Sequence, residues 1–109
     1  MSKKITKNNT VKAKSFKVGE KTYILRLYIT GTIPNSARAV VNIKAICENY
    51  LKNRYELEII DIYQQPDIAI TEDILVVPLL VKKSPFPEVR MIGDLSNEEK
   101  VLTGLGINY

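Results

Sequence analysis

The stretch LRLYITGTIPNSARAV, residues 25–40, decides the fold. Leu25, Leu27 and Ile29 alternate with Arg26 and Tyr28, the period-two pattern of a strand that turns one face to a core. Its β-branched and aromatic composition predicts a strand over Thr22–Thr30. Gly31 permits a turn, and Pro34 stands where a helix can open, because the N–H it lacks is one that the first helical turn leaves unbonded. Val40, Ile43, Cys47, Tyr50 and Leu51 then recur at helical spacing and predict a buried stripe on a helix running to about Lys52. Arg38, Asn42, Lys44, Glu48, Asn49 and Lys52 fall mostly outside, with Lys44, Glu48 and Lys52 spaced one turn apart.

Working outward, RYELEIIDIY, residues 54–63, alternates Tyr55, Leu57 and Ile59 with Glu56 and Glu58 and reads as a second strand. A strand, a long helix and a strand make a βαβ unit, which should be parallel and right-handed. Gln64-Gln65-Pro66-Asp67 interrupts the pattern, and Asp67–Thr71 has room for one helical turn. In TEDILVVPLLVKKSPFP, residues 71–87, Thr71 with Glu72 and Asp73 resembles a helix start, and Ile74–Val77 can continue that helix or form a strand. Pro78 prevents a helix from running through. Leu79–Val81 favour strand, Lys82–Pro87 a loop, and Glu88–Ile92 a short strand with Val89 and Met91 opposite Arg90 and Ile92. Gly93-Asp94 turns the chain. Ser96-Asn97-Glu98-Glu99 has the spacing of a capping box, Val101, Leu102 and Leu105 form the apolar face of a last helix, and Gly104 and Gly106 end it. The sum is an α/β chain ordered βαβ then ββα, a thioredoxin-like arrangement.

A chain of 109 residues suits one domain. The net charge of +4 is unevenly placed: residues 1–19 hold six lysines and no acid, which leaves ten basic against twelve acidic side chains in the rest. We therefore divide the chain into a basic extension, 1–20, and a slightly acidic domain, 21–109. The extension is expected to be mobile and solubilising, with a weak phosphate-type contact as the alternative. A folded nucleic-acid surface would gather Lys and Arg with aromatics between them, and none is visible, so no specific nucleic acid is expected. No apolar run is long enough for a membrane span, and no signal-peptide core follows the N-terminal lysines, which points to the cytoplasm.

Histidine is absent, and Cys47 is the single cysteine. That removes the commonest general base, any Cys-His or Ser-His pair and ordinary zinc sites. No metal or other cofactor is expected. A redox enzyme would need a thiolate at the helix N-terminus, where the dipole lowers its pKa. The turn Ile33–Ser36 offers none, and Cys47 lies about three turns further along among apolar neighbours, where packing explains it.

Beyond these readings, YILRLYITGTIPNSARAV, LEIIDIYQQPDIAITEDILVVPLLVK and above all MIGDLSNEEKVLTGL resemble the KaiB family, small partner proteins of KaiC-type ATPases in clock operons. The similar N-terminal domain of clock-linked histidine kinases is the close competitor; without a kinase module, the stand-alone protein is favoured. The resemblance implies a non-enzymatic regulator with two folds. One is a self-associated dimer or tetramer in which the second half is arranged differently. The other is a thioredoxin-like monomer that binds the N-terminal ring of the KaiC-type ATPase, with KaiA or a clock-linked histidine kinase competing for it. By similarity, Pro78 matches the proline that thioredoxin-like folds hold cis. Pro85 and Pro87 lie in the same half, and Gly93 and Asp94 lie where the switch is tuned. Candidate partner contacts are Arg38 and Lys44 on the first helix, with Tyr28 and Asn35 near its start. Their plainer readings are a solvated helix face for the two cations and sheet packing for Tyr28. Ile33 stands where the family commonly has Thr, and the acidic tail of many clock members is missing, so stress adaptation fits as well as timing.

Overall fold

The computed structural model describes residues 22–31 and 33–107. Seven elements follow one another: β1 (Tyr23–Ile29), α1 (Pro34–Tyr50), β2 (Tyr55–Asp61), α2 (Pro66–Thr71), β3 (Leu79–Ser84), β4 (Val89–Ile92) and α3 (Glu98–Leu105). They form one four-stranded sheet in the order β2-β1-β3-β4. β1 pairs parallel with β2, Leu25 opposite Leu57, and antiparallel with β3, which in turn pairs antiparallel with β4. The thioredoxin-like order expected from the sequence is the order found.

Alternation along the strands separates two apolar layers. On one face Leu25, Leu27, Leu57 and Leu80 meet Ala39, Ile43, Ile46 and Cys47 of α1 and Val101, Leu102 and Leu105 of α3. On the other, Tyr28, Ile60, Leu79 and Val81 pack with Ile74, Ile68 and Ala69 in and after α2. Tyr28 is only 1% exposed. The helical stripe is displaced from the expected line, since Ala39 and Ile46 are buried while Val40 and Tyr50 are only partly so. A helix wedged under a sheet buries more than the narrow seam of a two-helix contact.

Four local expectations need correction. Thr71 closes α2 rather than opening a helix, because the helix begins at Pro66 in its first turn. Residues 72–78 then form neither helix nor strand. Lys82, Lys83 and Ser84 belong to β3, not to a loop, because Lys82 is held between Leu25 of β1 and Val89 of β4. The last helix is capped by Asn97, whose side-chain oxygen accepts the Lys100 N–H at 3.1 Å, and not by Ser96. Ser96 instead donates its own N–H to Asp94 Oδ1. At the far end Gly106 adopts φ +76°, the left-handed conformation that closes many helices and favours glycine.

Candidate functional site

The sequence-derived site residues form one cluster, with the others scattered around it. Pro78, Gly93, Asp94, Arg38 and Asn35 converge at the end of the sheet where α1 begins. The Val77–Pro78 peptide is cis, and the Pro78 carbonyl accepts the Gly93 N–H at 3.0 Å. That bond delivers the chain into a turn with unusual backbone angles: Gly93 has φ +121° and Leu95 φ +63°. A glycine meets the first at little cost, whereas a leucine in the left-handed region is held there only by its surroundings. Leu95 is buried, and its burial in the α1–α3 layer supplies part of that hold.

Side chains of α1 supply the rest. Arg38 donates its Nε–H to Asp94 Oδ2 at 3.1 Å, and a second guanidinium nitrogen reaches Asn35 Oδ1. Asn42, one turn further along the helix, donates to the Asp94 carbonyl at 2.8 Å. The hydroxyl and N–H of Ser96, followed by the Arg38 guanidinium, hold the Asp94 carboxyl below the usual carboxylate range. Arg38 remains largely exposed, so the pair is a surface ion pair, weak by itself and screened by salt. Its strength lies in sharing Asp94 with two other donors.

Asn42 and Ser36 were missed as contributors. Ser36 is buried, and its Oγ accepts the Thr30 N–H at 3.1 Å, fastening the end of β1 to the start of α1. The spacing of Arg38 and Asn42 at i, i+4 was a signal that both point the same way. Nothing in the sequence said that a turn from the distant C-terminal half would meet them.

Pro85 and Pro87, each after a cis peptide, lie at the opposite end of β3, in the hairpin to β4. Lys44 is exposed on α1 and takes no part in the Asp94 network. Tyr28 is corrected as a contact residue: its ring is sealed between the sheet and the α2 segment. Beside the turn a cleft of about 380 Å³ opens between β4 and α3, lined by Gly93, Asp94, Ser96, Asn97 and Lys100.

Among the described residues no group of three or more His, Cys, Asp or Glu side chains is placed to hold a metal ion. The Cys47 thiol is buried in the helix layer, and that burial, with Glu48 beside it, pushes its pKa up to about 12. A thiol so protonated is a poor nucleophile.

Comparison with known proteins decides what frame this geometry belongs to. Residues 26–107 match the KaiB domain. The chain belongs to the KaiB family. A KaiB described as a circadian clock oscillator protein from Prochlorococcus marinus MED4 is 50% identical over 92 residues, spanning 84% of this chain and 86% of the relative. The circadian clock protein KaiB3 of Synechocystis PCC 6803 is 51% identical over 84 residues, 77% of this chain and 82% of its own. Among solved structures, the N-terminal domain of Synechococcus elongatus SasA superposes with a TM-score of 0.64 at 23% identity, over 84% of this chain and 90% of that one. Chloroplastic thioredoxin z gives 0.66 at 16%, over 96% and 94%. The two structures speak to the fold alone. Both carry the arrangement seen in this KaiB-family chain. No helix among its described residues is long and apolar enough to cross a membrane.

Proposed function

We propose that this chain is a non-catalytic clock-type regulator that docks on the N-terminal ATPase ring of a KaiC-type ATPase and modulates it, in timing or in stress adaptation. The observation that carries this reading is family membership at about half identity across most of both chains. Arg38, Asn35 and Lys44 offer charged and amide groups on the exposed side of α1 for such a contact. Pro78, Gly93 and Asp94, with Pro85 and Pro87 in the hairpin, are the positions at which a second arrangement of the C-terminal half would be favoured or disfavoured. Self-association to a dimer or tetramer and competition with KaiA or a histidine kinase belong to the same proposal.

Capture assays with the KaiC homologue of the same cell, paired with size-exclusion profiles, test it. Wild-type protein should be retained by the ATPase. Gly93→Ala and Asp94→Arg should change both the retention and the monomer–oligomer balance, because each removes a determinant of the strained turn. Failure of wild-type protein to bind, or variant profiles that superimpose on wild type, would overturn the reading.

A further inference from the structure

Phe86 is the most exposed large apolar side chain among the described residues, at 91%. It stands in the β3–β4 hairpin, between Pro85 and Pro87. Each proline fixes its own φ, so this tip has little freedom to lose when a partner buries the ring. An aromatic side chain held out in this way has the form of an interface anchor. Two residues on, Glu88 is half-exposed, shared between Lys83 at 3.5 Å and Arg90 at 3.6 Å.

The cleft between β4 and α3, about 380 Å³, opens at the other end of the same strand. Met91, Ile92, Leu95 and Val101 give it an apolar lining, and Lys100 stands in its wall. Its volume falls in the range of pockets that hold small ligands and exceeds one phenyl ring. Ile92 is 66% exposed there, although Leu79 beside it in the sheet is buried. Lys100 joins none of the ion pairs among the described residues. β4 is an edge strand, with Val89 beside Lys82 and Ile92 beside Leu79. The ring therefore precedes the strand and the cleft follows it, about 10 Å further along. Within one chain they face opposite ends and cannot meet. Between two copies they match in shape and in charge: a carboxylate lies beside the ring and an unpaired ammonium beside the cleft. With the ring seated, Glu88 is about 7 Å of chain away from it, within the span of the Lys100 side chain.

We infer that Phe86 of one copy seats in the β4–α3 cleft of a second copy, with Glu88 of the first beside Lys100 of the second. The two surfaces differ, so the contact is heterologous. Each copy keeps an unused ring or an unused cleft, and association runs head to tail until a ring of copies closes or a chain of them grows. This assigns a surface to the self-association proposed above and rests on that part of it. It needs no ATPase, so its failure leaves the KaiC-docking reading untouched.

A contact through one aromatic anchor is weak, so the test is sedimentation velocity of the full-length protein from about 10 μM to about 1 mM. The weight-average sedimentation coefficient of wild type should rise by about 1.3-fold or more over that range, reversibly on dilution. Phe86→Ser lacks the anchor and Ile92→Asp spoils the cleft; both positions are exposed, and each variant alone should stay at the monomer value. Their equimolar mixture should associate again and stop at pairs, because one copy brings only a cleft and the other only a ring. Glu88→Lys and Lys100→Glu should each weaken association, and the double variant should restore it. Lys100→Glu replaces Ile92→Asp in the mixture if circular dichroism shows that the latter is unfolded. A wild-type coefficient independent of concentration overturns the inference. So does association that survives Phe86→Ser, a mixture that stays monomeric, or a double charge reversal without recovery.

Discussion

Asp94 joins the β4–α3 turn to α1 by accepting from Arg38 at Oδ2 and from Asn42 at its carbonyl, and its Oδ1 accepts the Ser96 N–H within the turn itself. Its folded pKa lies below the unfolded value, so the stabilisation from its charge is complete above the ordinary carboxylate range. It is lost as pH falls through the lowered folded value. The unfolding midpoint of Asp94→Asn should therefore lie below wild type by a constant amount near neutrality. The two should converge in acid, below about pH 4; parallel curves down to the lowest accessible pH would contradict this. Cys47 is a residue of the opposite kind. Buried and held protonated, it should react with a thiol reagent at physiological pH only in denaturant, and a fast native-state reaction would show it to be more open than it is here. Its role was legible in the sequence, since an apolar helical stripe with one thiol is a packing pattern. The role of Asp94 was not, because its partners lie 56 and 52 residues away.

At the scale of elements, α3 shows how a good local signal can be read one residue out. Ser96 and Asn97 both accept helix N–H groups well, and the first four residues fit a capping box. The structure uses Asn97, because Ser96 is already drawn into the turn by Asp94. Asn97→Ala should cost about 1 kcal/mol, and Ser96→Ala appreciably less, by urea unfolding; the reverse order would restore the Ser96 cap. The same competition explains β3. Lys82, Lys83 and Ser84 have poor strand composition, yet the pairing of Lys82 with both β1 and β4, and of Ser84 with β1, outweighs propensity. Residues 72–78 stayed ambiguous for a real reason: a short apolar run has no period long enough to distinguish helix from strand. Here it adopts neither form, and Ile74 alone is buried from Ile74–Val76, while Leu75 and Val76 face outward.

Across the molecule, the two layers share the sheet unequally. The layer under α1 and α3 contains most of the fully buried side chains, and the α2 layer is a smaller cap. Leu27→Ala, inside the larger layer, should destabilise by about 2–5 kcal/mol. Leu75→Ala, at 85% exposure, should stay within about 0.5 kcal/mol of wild type. Equal losses in chemical denaturation would mean that the exposed loop packs in solution. The sequence by itself determined the βαβ start, the order of the strands and helices and the absence of a redox pair, because periodicity, turn residues and the count of thiols are local properties. Only the tertiary structure decided that Arg38, Asn42 and Asp94 meet, that Tyr28 is interior and that α2 covers only one end of its sheet face among the described residues. Those outcomes depend on which segments distant in the chain are brought within a few ångströms of each other, and the pairing of β1 with β3 is what brings them there.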